Sequence, residues 1–231
     1  MSMLLLNKIY DWHIVQYFLG TDRSNLRRLV DQNWSVLDLG CGSKPPVLLA
    51  IRPKAYFGID VFKPSIDSAR LYCISENLEH YQFEVRNLES AQFDENQFDI
   101  VILVDVIEHL PKEIGIKLIE NAKNWASRRV YISTPNGFLK QDPYDSNSFQ
   151  EHLSGWTVKE FKSLGFTNIR GGGGLKLLRK REMQPDQWSH VSGASLRWGP
   201  RLLWALVSAM SQVIFKRIPS WSYQIVAVFE K

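Results

Sequence analysis

Asp38, Gly40, Cys41, Gly42 and Asp60 are the residues whose types and spacing point most directly to chemistry. Residues 36–43, Val-Leu-Asp-Leu-Gly-Cys-Gly-Ser, run an apolar strand into two glycines one residue apart. Without a Cβ at either glycine, the backbone of the turn can come against a ligand. Asp38 and the free backbone groups of that turn can bind a polar, partly cationic group. Twenty residues after Gly40, the run Ala55–Asp60 ends in an acid placed to accept hydrogen bonds from ribose hydroxyls. The pattern calls for a nucleoside-containing cofactor. A dinucleotide is disfavoured, because its fingerprint has a third glycine three residues after Gly42, where this chain has Pro45 followed by Pro46. A phosphate-binding loop is disfavoured as well, since no Gly-Lys-Ser/Thr triplet is present.

A second set of reactive side chains follows the apolar run Phe98–Val104: Asp105, Glu108 and His109. His152 comes later, in Gln-Glu-His-Leu-Ser-Gly-Trp-Thr at 150–157. Residues that directly follow a parallel strand stand at its carboxyl end, the side on which open α/β sheets bind ligands. Each of these groups can take or give a proton. Each also has a plain structural reading, Glu108 as a helix cap and His109 as a packed, hydrogen-bonded ring.

These residues need elements to hold them. The 231 residues suffice for one α/β unit with a substantial core, so residues 1–231 are expected to form a single domain. Strands are predicted at 36–39, 55–60, 81–86, 98–105, 129–137, 166–170 and 222–230. The apolar run at 98–105 fits a strand buried on both faces. Helical patterns at Pro64–Asn77 and Pro111–Ser127 alternate with these strands, which argues for parallel crossover units and helices on both faces. Two further helices, about Met3–Leu19 and Asp22–Asp31, are expected to cap the cofactor side within residues 1–33. The run Gly171–Gly174 is expected to be a flexible exit from the sixth strand.

Asp-Leu-Gly-Cys-Gly at 38–42, with Asp60 at its distance, resembles the first motif of class I S-adenosylmethionine (SAM) methyltransferases. Val-Ile-Glu-His-Leu-Pro at 106–111 resembles the fourth motif of that family. The resemblance covers roughly residues 34–170 and the last strand. It implies a Rossmann-like, doubly wound sheet of seven strands, the last antiparallel. It also implies SAM as cofactor, held by Asp38, Gly40, Cys41, Gly42, Asp60, Val61 and Asp105, with Asn87 and Leu88 near the adenine. The family often has an acid where this chain has Asn87, and an amide can still meet an adenine edge. Methyl transfer from a sulfonium requires an in-line nucleophile and removal of its proton. His109, His152 and Asp105 are the candidates for that step. Asp105-x-x-Glu108-His109 with the distant His152 also resembles the ligand set of the small-RNA 2′-O-methyltransferases. There, two carboxylates and two histidines hold a divalent metal, so Mg²⁺ or Mn²⁺ on Asp105, Glu108, His109 and His152 is an expectation of that likeness. RNA itself is not expected as substrate, because no RNA-binding module accompanies the domain.

The remaining composition bears on partners. Cys41 and Cys73 offer no disulfide framework, and a reducing cytoplasm is the default. Leu4-Leu5-Leu6 is interrupted too soon by Asn7, Lys8 and Asp11 for a signal peptide. Residues 1–158 carry 16 Lys/Arg against 20 Asp/Glu, whereas residues 159–231 carry 12 against 4. The basic character therefore belongs to the last third, including Lys176, Arg179, Lys180 and Arg181, and suits an anionic partner or a solvated face.

A long helical insertion is expected at 175–221, before the last strand. In Ser195–Lys216, Arg197, Arg201, Ser208, Ser211, Gln212 and Lys216 form one polar stripe and apolar residues fill the remainder. A face so wide has to be covered by a membrane interface, a second copy of the chain, or the protein's own pocket. A peripheral position at the inner face of a membrane is one expectation, and a homodimer is another. The acceptor is expected to be a small molecule, a sugar or a lipid-linked group, methylated on oxygen. Two rival readings are a nicotinamide-dependent oxidoreductase and a non-catalytic SAM-binding partner protein.

Overall fold

In a computed structural model, residues 22–143, 147–178, 182–183, 207 and 210–231 are described. The expected helix Met3–Leu19, the basic residues Arg179–Arg181 and the first half of Ser195–Lys216 lie outside them.

Alternating apolar segments pair into one seven-stranded sheet. Its strands are β1 (Ser35–Leu39), β2 (Ala55–Asp60), β3 (Gln82–Val85), β4 (Phe98–Val104), β5 (Ala126–Pro135), β6 (Asn168–Leu175) and β7 (Ser222–Glu230). The order is β3-β2-β1-β4-β5-β7-β6, with β7 antiparallel to both of its neighbours and the pairs from β3 to β5 parallel. The order reverses between β1 and β4, which opens a crevice at their carboxyl ends.

The helices among the described residues include α1 (Asp22–Leu29), α2 (Pro46–Ala50), α3 (Lys63–Ser75), α4 (Lys112–Trp125) and α5 (Val158–Ser163). The period of two along the strands divides the core into two layers. Leu37, Leu39, Val101 and Leu103 face Leu118 and Ile119 of α4 and Phe161 of α5. Val36, Ile100 and Ile102 point the other way, towards Leu26 of α1, Val47 and Leu48 of α2 and Ile66 of α3. Covering both faces explains why β4 reads as a continuous apolar run.

At the amino ends of the strands, Asp99 clamps β4 to β1. Its carboxylate accepts from the Ser35 N–H and hydroxyl, each at 2.9 Å, and from Arg128 Nε at 2.9 Å. Lys231 closes the same pole, its Nζ donating to Asn96 Oδ1 at 2.6 Å and to Ala126 O at 3.2 Å.

One expectation is corrected by the edge strand. Gly171–Gly174 is not a flexible exit but lies within β6. Residues 210–215 are helical and pack onto it. A Cβ at Gly171 would stand 1.7 Å from Ser222 Oγ and 2.5 Å from Phe215 O. Glycine here permits close approach of a second backbone. Gln212 bridges the strand, accepting from the Gly174 N–H at 2.6 Å and donating to Gly171 O at 2.9 Å. Ser211 Oγ accepts from the Leu175 N–H at 2.9 Å.

Candidate active site

The sequence-predicted turn forms at the carboxyl end of β1. Gly40 and Gly42 have φ of +69° and +64°, the left-handed region that glycine enters at no steric cost. Their roles differ. A Cβ on Gly40 would press to 2.6 Å from Val106 Cγ2, so that glycine serves packing. Nothing lies within 4 Å of the Cβ position of Gly42, which leaves a ligand room above the backbone. Asp60 ties the turn to the end of β2: its carboxylate accepts from the Gly42 N–H at 3.0 Å and from the Phe62 N–H at 2.8 Å. Two backbone bonds leave carboxylate lone pairs able to accept from further donors.

Asp38 is placed differently from the expectation of a contact to a cationic group. It is 1% exposed and accepts from the Tyr56 hydroxyl at 2.8 Å. Burial pushes its carboxyl up to about 7, against the opposing Tyr56 hydrogen bond. It shapes the turn from beneath. Cys41 is buried in the same layer and donates its N–H to Ile59 O at 3.1 Å. Val61 is half-buried beside Asp60. Asn87 is exposed after β3 and caps a local turn by accepting from the Glu89 N–H at 2.9 Å, while Leu88 packs partly on the core.

The second set gathers beyond β4. Ile107–His109 form a short 3-10 turn, and the loop after β5 brings His152 against it. The two imidazoles lie 4.7 Å apart between centroids, edge to face. His109 Nδ1 sits 3.0 Å from Glu151 O and His152 Nδ1 sits 2.7 Å from Leu139 O. A carbonyl accepts only from a protonated nitrogen, so each Nδ1 carries the hydrogen and each Nε2 keeps its lone pair. Burial lowers both rings, and His152, which also faces His109, falls to about 4.

Glu108 is 2% exposed; its Oε2 accepts from Thr134 Oγ1 at 2.9 Å, and its Oε1 has no partner. Burial first, and Asp105 second, raise this carboxyl well above its ordinary range. One donor atom from each of Glu108, His109 and His152 lies within 4.8 Å of the others. Two neutral imidazoles with oriented rings and a carboxylate oxygen lacking a partner fit a divalent cation.

Asp105 does not belong to that group. It has φ +51° and its Oδ1 accepts from Gln224 Nε2 at 3.1 Å. The same amide reaches Asp22 Oδ2 at 3.3 Å, and Asp22 Oδ1 accepts from the buried Tyr131 hydroxyl at 2.6 Å. Protein surrounding the cleft desolvates Asp105 although one edge stays open to solvent. Its carboxyl is raised by that burial and then by Asp22. Asp22, Tyr131 and Gln224 escape sequence reasoning because no motif links residues from three distant elements. Thr134 lies within the strand predicted at 129–137 and carries no role there.

Loop placement has a clear anchor. Trp156 is fully buried, its Nε1 donating to Ile107 O at 3.2 Å and Ser154 Oγ at 3.1 Å. Lys112 Nζ lies 3.6 Å from the centroid of its ring. The Leu153 and Ser154 N–H groups both donate to Glu108 O, at 2.8 and 3.0 Å. The 3-10 turn and the His152 loop therefore hold each other.

A glycine turn for a nucleoside cofactor at the switch point of this strand order is the arrangement of class I SAM-dependent methyltransferases. The chain belongs to the family described as methyltransferase domain, whose model matches residues 12–178. Ubiquinone biosynthesis O-methyltransferase of Neisseria meningitidis is 32% identical over 84 residues, which is 35% of each chain. The match thus spans about a third of that relative's length. Among solved structures, the YcgJ protein of Bacillus subtilis superposes with TM-score 0.55 at 13% identity, over 92% of this chain and 97% of that one. The cyclase SpnF does so at 0.55 and 13%, over 90% and 80%. Both likenesses concern the fold alone.

Proposed function

We propose that this protein transfers the methyl group of SAM to a hydroxyl oxygen of a small acceptor, a sugar, a quinone-like ring or a lipid-linked group. Bound SAM supplies an electrophilic methyl on a positively charged sulfur. The turn at Gly40–Gly42 and the Asp60 carboxylate hold its nucleoside end, and the Asp105–Asp22–Gln224 group lies at the neighbouring strand ends. His109, the more accessible of the two rings, takes the hydroxyl proton on Nε2 as the carbon–oxygen bond forms and the carbon–sulfur bond breaks. His152 packs against it and fixes its orientation.

The observation that carries this reading is the pair of imidazoles, each with Nδ1 tied to a backbone carbonyl. Such rings are fixed in the tautomer a base needs. In the alternative arrangement Glu108, His109 and His152 would hold a divalent metal through the same Nε2 lone pairs, His109 then serving as a ligand and not as the base, and an imidazole-rich set favours Mn²⁺ over Mg²⁺. A cation there would lower the pKa of a hydroxyl brought to it. Family membership sets aside the nicotinamide-dependent alternative.

The test is calorimetric titration with S-adenosylhomocysteine, with and without Mn²⁺, on the wild type and on His109→Asn, alongside methyl transfer to a panel of catechols and sugars. Unchanged S-adenosylhomocysteine affinity with turnover lower by about 10²-fold or more in His109→Asn is expected. Full turnover in that variant removes His109 from the chemistry. Binding of S-adenosylhomocysteine with no transfer to any acceptor favours the non-catalytic partner reading instead.

A further inference from the structure

The helical residues 210–215 are mounted with their polar side inward. Gln212 is 1% exposed and spends its amide on Gly171 and Gly174 of the edge strand, while half-buried Ser211 accepts from Leu175. The opposite side carries Met210 at 72% exposure and Ile214 at 61%, with Val213 between them. A soluble helix normally has the reverse arrangement, with its apolar stripe in the core. The apolar surface continues past the helix. Phe215 stacks on Trp221 at 6.3 Å with rings 4° from parallel, and Trp221 is 54% exposed. Lys176 Nζ donates to Ser220 O of the Pro219–Trp221 turn at 2.9 Å, and the next residue, Leu177, is exposed.

Cations accompany this patch. Arg217 is exposed at the end of the helix, next to half-buried Lys216, and Lys176 lies against the turn. Residues 159–231 hold 12 Lys/Arg against 4 Asp/Glu, so the patch sits in the basic part of the chain. Exposed aliphatic side chains, a tryptophan at the edge and flanking lysine and arginine are the composition of a surface that lies in the headgroup region of a bilayer.

Position agrees with this. β7 begins at Ser222 and pairs with the carboxyl end of β5, so the turn before it stands at the same end of the sheet as Asp105 and Glu108. Asn136, at the end of β5, fixes that turn by donating from Nδ2 to Pro219, Ser220 and Ser222 carbonyls at 2.8–3.0 Å.

We propose that Met210, Val213, Ile214, Ile218 and Trp221, with Lys176 and Arg217, form a docking surface for an anionic lipid bilayer. The surface does not depend on the reaction assigned above, since its readout is binding alone. The test is flotation of the full chain with vesicles of phosphatidylcholine, with or without phosphatidylglycerol. Flotation is expected with the anionic vesicles. Met210→Glu/Ile214→Glu, both exposed positions, should lower binding at least roughly tenfold with an unchanged circular dichroism spectrum. Lys176→Gln/Arg217→Gln should lower it roughly fivefold per charge at low salt. Absence of wild-type flotation overturns the proposal, and so does undiminished flotation of Met210→Glu/Ile214→Glu. A dimer in analytical ultracentrifugation that Met210→Glu/Ile214→Glu abolishes, without any flotation of the wild type, assigns the patch to a second copy and overturns it equally.

Discussion

Gly42 is the residue whose replacement separates packing from binding. Its φ of +64° costs alanine about 1–2 kcal/mol, yet the added methyl meets nothing within 4 Å. Gly42→Ala is therefore expected to fold with a modestly lower Tm and to bind S-adenosylhomocysteine at least about tenfold more weakly, a loss of roughly 1.4 kcal/mol. Thermal melts beside calorimetric titration check this, and unchanged affinity would show that no ligand uses the space above the turn. Individual residues were legible in the sequence where a motif constrained them. The Gly40–Gly42 turn with Asp60, and Glu108 with His109, stand together as their spacing implied. Asp38 shows the limit: its motif position was plain, but its burial against Tyr56 depends on register, since Asp38 pairs with Gly58 and accepts from the hydroxyl of Tyr56, two residues before Gly58 on the same strand. The Asp22–Gln224 contact crosses 202 residues of sequence and left no local trace.

Among elements, the loop after β5 brings His152 to the site with little regular structure of its own. Trp156 supplies what a strand or helix otherwise would. Gly115 on α4 leaves room for it, since a Cβ there would stand 2.6 Å from the indole ring. Trp156→Ala removes a fully buried ring and the bonds it makes to Ile107 and Ser154. A loss of about 3–5 kcal/mol is expected. Methyl transfer should fall with it even below the new Tm, because His152 loses the contact that sets its loop; denaturant melts and turnover measured together check both. The sequence signalled β2 and β7 to the residue, because their apolar runs end in charged or turn residues. It missed the true extent of β6, whose glycines read as a breaker until Gln212 and Phe215 are seen to occupy the space their side chains would need.

For the whole molecule, the two ends of the sheet have separate duties. The carboxyl ends bear Asp105, Glu108 and the histidines, while the amino ends are closed by charges serving the fold. Asp99 belongs to the latter. Burial opposes its ionisation, but the Ser35 N–H, the Ser35 hydroxyl and Arg128 together hold its carboxyl below the ordinary value of 3.8. The stability it contributes is thus present above pH 3.8 and is lost as the pH falls through its lower folded-state value. Asp99→Asn should cost about 1–2 kcal/mol at neutral pH. In the variant, the difference from wild type should narrow on acidification below pH 4, which urea melts across that range would show. A difference independent of pH would mean that the hydrogen bonds matter and the charge does not.

The antiparallel direction of β7 has a practical outcome. The strand starts beside the cleft and carries the chain back to the opposite pole, where Lys231 lies among Asn96, Ala126 and Arg128. A fluorophore, affinity handle or fusion partner joined after Lys231 would emerge on the far side from both the histidines and Trp221. A molecule tethered there to a solid support would hold its cleft outward, open to whatever acceptor is washed across it.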